Sequence, residues 1–241
     1  MDIKYGRYEM NNYIKSQYLS IEDQIIKAFN TKPAMDGTIH GQRKIILGTV
    51  GKRPTLFPSK KNGGMIALES RLEFAYALKL EQNHGVKAYR TQALKIAISN
   101  AQFVYPDFLI KYQDGSIEVH EVKPRILSLN ETDLERYNRL GQILKNSNID
   151  FKLVDHLDLP TEHESIVLNF LYQNAHTNDW SDDQILSGAR SIPPLNGLLL
   201  MEVQNYLIVN GLPKELANYL IFYGHISLPS LFTNNMRNLR G

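Results

Sequence analysis

Three charged side chains stand out by their spacing. Asp107 follows a proline in Tyr105-Pro106-Asp107-Phe108, and Glu121 comes fourteen residues later in Val119-His120-Glu121-Val122-Lys123. On a strand, Glu121 and Lys123 point to one face and Val122 to the other. Asp107 joins them if the two segments form a hairpin of suitable register. Paired carboxylates are hard oxygen ligands that suit Mg2+, and an amine beside them orients or polarises a water. That combination serves phosphodiester hydrolysis, where charge develops on the scissile phosphate and on the leaving oxygen. The neighbouring Phe103, Phe108, Ile110, Ile117 and Val119 are apolar, and packing alone gives no reason for carboxylates and an amine to face one place. Upstream, Ser70-Arg71-Leu72-Glu73 presents Glu73, with Glu69 one turn earlier on the same side of a helix. Either is able to supply a third ligand.

The elements that must position these residues follow from periodicity. Ser70 to Gln82 lacks Gly and Pro and spaces Leu68, Leu72, Ala75, Tyr76 and Leu80 three or four apart, which predicts a helix ended by Gly85. The period then falls to two in 88–91, 93–98, 103–112 and 116–122, which predicts strands. Asp114-Gly115 between the last two is a hairpin signal. A second amphipathic helix is expected over Glu131–Lys145 with Leu134, Tyr137, Ile143 and Leu144 inward, then a strand at Phe151–Val154. This is a mixed α/β core of about 90 residues. Before it, Ser20 caps a helical stretch to Phe29, and Thr38–Gly64, which mixes short apolar pieces such as Ile45-Ile46-Leu47 with Gly51, Pro54, Pro58, Gly63 and Gly64, reads as loops with one brief strand. After Pro160 helices dominate, at 162–174, 196–209, 213–223 and 229–237, with 175–194 read as a loop. The expected domains are a helical arm at 1–36, the α/β domain at 37–160 and a smaller helical domain at 161–241.

Composition narrows the classes. The 241 residues are 43% hydrophobic and 22% charged, ordinary values for a globular chain. No cysteine is present, which excludes disulfides, thiolate metal sites and a cysteine nucleophile. The start Met1-Asp2-Ile3-Lys4-Tyr5-Gly6 lacks the layout of a signal peptide, and no apolar run reaches the roughly 18 residues of a bilayer span. A cytoplasmic protein with no membrane association is expected. The net charge is only +2, but from Gly37 to Leu68 the chain carries Arg43, Lys44, Lys52, Arg53, Lys60 and Lys61 without an acidic residue. Such a ribbon suits backbone phosphates beside a metal. Beyond Glu162 the balance turns acidic, which favours protein docking over phosphate binding. The histidines show no ligand spacing, and His120 points away from Glu121. No G-x-x-x-x-G-K-[ST] loop occurs, so ATP hydrolysis is not expected.

Five phrases in order carry a resemblance: Phe57-Pro58-Ser59-Lys60-Lys61-Asn62-Gly63, Glu69-Ser70-Arg71-Leu72-Glu73, Tyr89-Arg90-Thr91-Gln92, Tyr105-Pro106-Asp107-Phe108 and Glu121-Val122-Lys123-Pro124. The chain resembles the TnsA endonuclease subunits of heteromeric transposases, which belong to the PD-(D/E)xK nucleases. The resemblance implies a restriction-endonuclease-like mixed sheet flanked by helices, followed by a winged-helix-like C-terminal domain. It implies Glu73, Asp107 and Glu121 as metal-site carboxylates, with Glu69 the runner-up to Glu73, and Lys123 as the catalytic lysine. Family members vary between Glu and Gln at the position of Glu121, so the Val122 carbonyl joins the expected ligands. Gln92 matches a family glutamine that orients the site or contacts DNA, and Lys52, Arg53, Lys60 and Lys61 are the expected phosphate contacts. The implied cofactor is Mg2+, with Mn2+ as a substitute.

The implied role is cutting the non-transferred strand at transposon ends, at the 5′ ends. A TnsB-type transposase would cut and join the other strand, and a TnsC-type AAA+ ATPase regulator would engage the C-terminal domain through residues 196–241. The implied setting is the bacterial cytoplasm, at the nucleoid. Two other readings fit the same residues: a stand-alone restriction or phage-type nuclease, and a non-catalytic module bridging transposase and regulator.

Overall fold

The computed structural model describes residues 19–32, 55–99, 101–194 and 198–226. Within these the chain is mixed α/β and divides into two compact units. The first unit comprises residues 1–76 and 84–159, and the second comprises 77–83 and 160–241. Lys52, Arg53, Ile45–Leu47 and the helix expected at 229–237 lie outside the described residues.

In the first unit, α1 (Ile21–Asn30) starts at Ser20, whose hydroxyl accepts from the Asp23 N–H as the sequence suggests. Strands β1 (Thr55–Ser59) and β2 (Gly64–Leu68) form an antiparallel hairpin where the sequence suggests loops and one brief strand. The short pieces between Pro54 and Gly64 are long enough for strands once Phe57 and Ile66, paired across the ladder, are both buried. Helix α2 (Arg71–Gln82) follows, and its residues from Ala77 onward belong to the second unit.

The main sheet has the order β3 (Val86–Thr91), β6 (Phe108–Tyr112), β7 (Ile117–Lys123), β8 (Asp150–Asp155). The first three are antiparallel, and β8 lies parallel to β7. Asp114-Gly115 makes the β6–β7 turn: Gly115 has φ +89, a left-handed value that favours glycine, and Asp114 Oδ1 accepts from the Ser116 N–H. Helix α3 (Glu131–Lys145) connects β7 to β8. One sheet face buries Leu109 and Val119, opposite each other on β6 and β7, with Tyr137, Leu140 and Leu144 of α3. Each fully buried Leu or Val contributes about 1.5–3 kcal/mol. Leu134 is 40% exposed, against the inward position expected; the buried stripe of α3 runs through Tyr137, Leu140 and Leu144 instead. On the other face Phe108 packs edge-on against Tyr76 of α2, ring centroids 5.0 Å apart.

Two expected strands are shorter than the alternation implies. Of 93–98 only β4 (Ile96–Ala97) is extended, because the Gln24 side chain takes the Lys95 backbone as a strand would, donating to its carbonyl at 3.2 Å and accepting from its N–H at 2.8 Å. The run 103–112 is split into β5 (Phe103–Val104), paired with β4, and β6. Pro106 lies in the break, where it has no N–H for a ladder.

The second unit holds α4 (Glu162–Ala175), α5 (Asp182–Ser191), α6 (Leu200–Val209) and α7 (Leu216–Phe222). Among its described residues there is no strand. Helix α5 corrects the loop expected over 175–194. Ser181 and Gln184 form a capping box that starts it, and Ile185 and Gly188 face inward. Gly188 is where α5 meets its neighbours: a Cβ there would stand 2.8 Å from Leu216 Cδ2 and 3.0 Å from Leu220 Cδ1. Gly188→Ala is therefore expected to destabilise the chain by about 1–3 kcal/mol through overpacking, read as a lower urea midpoint. An unchanged midpoint would show that these leucines yield freely. No helix among the described residues is long and apolar enough to cross a membrane.

Candidate active site

The β6–β7 register decides which of the predicted side chains meet. Phe108 pairs with His120, so the next pair outward is Asp107 with Glu121. Their bonds confirm this juxtaposition. Asp107 Oδ2 accepts from the Val122 N–H at 2.9 Å, and Glu121 Oε2 accepts from the Asp107 N–H at 3.2 Å. Lys123 Nζ pairs with Glu121 Oε1 at 2.7 Å and lies 5.4 Å from the centre of the Tyr137 ring. The Tyr137 hydroxyl donates to the same Glu121 oxygen at 3.0 Å and accepts from Arg136 Nη2 at 2.8 Å. Tyr137 is thus a site residue that the sequence marks only as part of the inward face of α3. Its alternative use, holding Glu121, depends on where α3 packs over β7.

Glu73 enters from the first turn of α2. Its Oε2 accepts from the Glu69 N–H at 2.9 Å and its Oε1 from the Ser70 hydroxyl at 3.0 Å, while the Ser70 hydroxyl accepts from the Glu73 N–H. This is a cap at the helix start, so Glu73 has a structural duty as well. Each oxygen keeps a further lone pair. Glu69 precedes α2 rather than lying one turn earlier on it, and Glu69 offers Glu73 its backbone N–H.

Electrostatics connect the carboxylates. Burial, then the charges of Glu121 and Glu73, hold Asp107 well above the usual carboxylate range, against the pull of the Val122 N–H and Lys123. Burial likewise raises Glu73, with Glu69 and Glu121 adding to it against its two capping bonds. Burial would lower the Lys123 amine, but the Glu121 charge and the hydrogen bonds to Glu121 and Tyr137 outweigh it and keep the amine above its ordinary value. Lys123 is an ammonium at neutral pH. It donates and neutralises; it is not a base.

The donors are all oxygens: the carboxylates and the backbone carbonyl of Val122. They fit a hard cation, and burial together with the neighbouring carboxylates' charges, which raise Asp107 and Glu73, would be relieved by one. Among the described residues no group of three or more His, Asp and Glu side chains is arranged to hold a metal ion as it stands. Glu121 in particular is turned to Lys123 and Tyr137.

The remaining predicted residues divide. Gln92 lies beside Asp107, its N–H donating to the Asp107 carbonyl at 3.0 Å. Lys61 Nζ donates to the Val86 carbonyl at 2.8 Å, which ties it to β3, whereas Lys60 is exposed on the β1–β2 turn. His120 occupies the opposite face from Glu121: its Nδ1 bonds the Tyr76 hydroxyl and its Nε2 meets Glu118 Oε2 at 2.6 Å. Comparison with models of known protein families found no match for the chain, and no curated protein matches its sequence.

Proposed function

We propose that the chain is a metal-dependent DNA endonuclease of restriction-endonuclease-like fold, acting as the TnsA-like subunit that cuts the non-transferred strand at transposon ends. The observation that carries this reading is the pairing of Asp107 with Glu121 across β6 and β7, with Lys123 ion-paired to Glu121 and Glu73 within their field. Bound there, Mg2+ would supply Lewis-acid charge to the scissile phosphate, with Asp107, Glu121, Glu73 and the Val122 carbonyl as its holders. The chain's own groups do the rest. Lys123 is an ammonium placed to donate to an oxygen of the phosphate or of the attacking water, and Tyr137 fixes the Glu121 carboxylate that orients Lys123. In the hydrolysis the water oxygen bonds to phosphorus, one phosphorus–oxygen ester bond breaks, and the leaving oxygen takes up a proton as the water gives one up. The transposition setting rests on the five ordered sequence phrases. The helical second unit, winged-helix-like by that same resemblance, is assigned to docking the ATPase regulator.

The test is metal dependence in the assembled system. With transposase, regulator, ATP and Mg2+, the wild-type chain should release the element by double-strand cuts. Without Mg2+ the non-transferred strand should stay intact at each 5′ end. Asp107→Ala with Mg2+ present should do the same while the transposase still cuts the other strand, which separates this chain's carboxylate site from the needs of ATP and the transposase. If the purified chain cuts DNA without partners, the stand-alone nuclease replaces the transposition role. If full excision proceeds with the chain omitted, the catalytic assignment is lost.

A further inference from the structure

Gln92 combines two unfavourable features. Its backbone has φ +48, a left-handed value that costs a non-glycine residue energy, and its side chain is 3% exposed with Oε1 lacking any hydrogen-bond partner among the described residues. Buried acceptors are normally satisfied, and strain of this kind persists where function demands it. The place is telling. Thr91 pairs with Phe108 and Phe108 with His120, so Gln92, just past the end of β3, and Asp107, just before β6, follow next in the row that leads to Glu121 of β7. The row is held together by the Gln92 N–H on the Asp107 carbonyl and the Asp107 N–H on Glu121.

The chemistry of that oxygen limits its partner. A carbonyl oxygen only accepts. Asp107 and Glu121, which adjoin its backbone in that row, offer carboxylate acceptors, and a phosphodiester carries no proton to give. At the reacting phosphate, what satisfies Oε1 must bring an O–H or a positive charge. The charged carboxylates are the stronger cation ligands, which leaves the neutral carbonyl for water. We propose that the Gln92 side-chain carbonyl accepts a hydrogen bond from the water that attacks the phosphate, orienting it at the carboxylate row. This rests on the nuclease reading above and assigns Gln92 a role on the water rather than on the DNA backbone.

The experiment uses the full-length chain and Gln92→Met, which keeps the length of the side chain and deletes the acceptor. Gln92→Gly serves as the second variant, because it also relieves the left-handed backbone. Melting temperatures are measured with and without MnCl2, and strand cutting is measured in the assembled excision reaction at saturating DNA. Both variants should melt at or above the wild-type temperature, show the wild-type Mn2+-induced shift, and cut about a hundredfold more slowly. A residue that merely supported the fold would melt lower when replaced. Lower melting of both variants, wild-type cutting, or loss of the Mn2+ shift would each overturn the proposal, the last by making Gln92 a cation ligand. Failure of the nuclease reading itself is distinguishable: wild type would then neither cut nor respond to Mn2+, or Asp107→Ala would cut like wild type.

Discussion

Asp107→Asn is expected to lower strand cutting by about a thousandfold or more and, in the absence of metal, to make the chain melt at a higher temperature near neutral pH. The two effects have one cause. Asparagine presents the same carbonyl oxygen to the Val122 N–H, so the bond that fixes residue 107 to β7 survives. Only the charge goes. Burial, and then the charges of Glu121 and Glu73, disfavour that charge, which is why the Asp107 carboxyl is raised. A carboxyl whose folded-state value is raised favours folding in its protonated form. The stability it contributes is complete below its unfolded value, about 4, and is lost as pH rises through the raised folded value.

Metal-free wild type should therefore lose stability between mildly acidic and neutral pH relative to Asp107→Asn, which has no such charge at any pH. Near neutrality the variant should be the more stable of the two. Melting curves of both proteins in EDTA across this range give the difference directly. If the variant melts lower at neutral pH, burial and repulsion do not disfavour the Asp107 charge in the folded chain. If it cuts at the wild-type rate, Asp107 takes no part in the chemistry.

Much of this arrangement is legible in the sequence, and the rest depends on contacts between distant segments. Asp114-Gly115 marks the hairpin, and alternation then places Glu121 and Lys123 together and Asp107 opposite Glu121, as the register has it. The spacing of Tyr137 and Leu144 gives α3, but the rotation of that helix, which exposes Leu134, is decided by packing on Leu109 and Val119. The same packing brings the Tyr137 hydroxyl to Glu121, a link invisible in a helical pattern. The strand expected at 93–98 fails because Gln24, far earlier in the chain, captures the backbone of Lys95. Helix α5 was available in Ser181 and Gln184; Asp182, Asp183 and Gly188 resemble a loop only until the glycine is seen to admit Leu216 and Leu220. Glu73 is visible as a carboxylate near a helix start, while its capping bonds to Ser70 and Glu69 show that one side chain serves both the helix and the site.

Lys123→Met removes the ammonium but keeps an apolar stem, and its cutting should fall by about a hundredfold to a thousandfold. It should also destabilise the fold, because Glu121 is left buried with the Tyr137 hydroxyl and the Asp107 N–H as hydrogen-bond donors in place of a cation. The Lys123 side chain is 24% exposed, so the cost should be about 2 kcal/mol, below that of breaking a fully buried pair. Stability loss would confuse a single-variant experiment. The double variant Lys123→Met/Glu121→Gln separates the two effects: with no charge left at either position, its melting temperature should return close to wild type, a coupling of about 1–3 kcal/mol between neighbours. Cutting should not return. A chemical role for the ammonium requires the positive charge itself, whereas a purely neutralising role requires only that Glu121 not be left unpaired. Because Glu121 is also a proposed holder of the metal, the comparison is with Glu121→Gln alone: a double variant that cuts as Glu121→Gln does would reduce Lys123 to a counter-ion, and one that cuts about a hundredfold more slowly than Glu121→Gln places the ammonium on the reacting phosphate or its water.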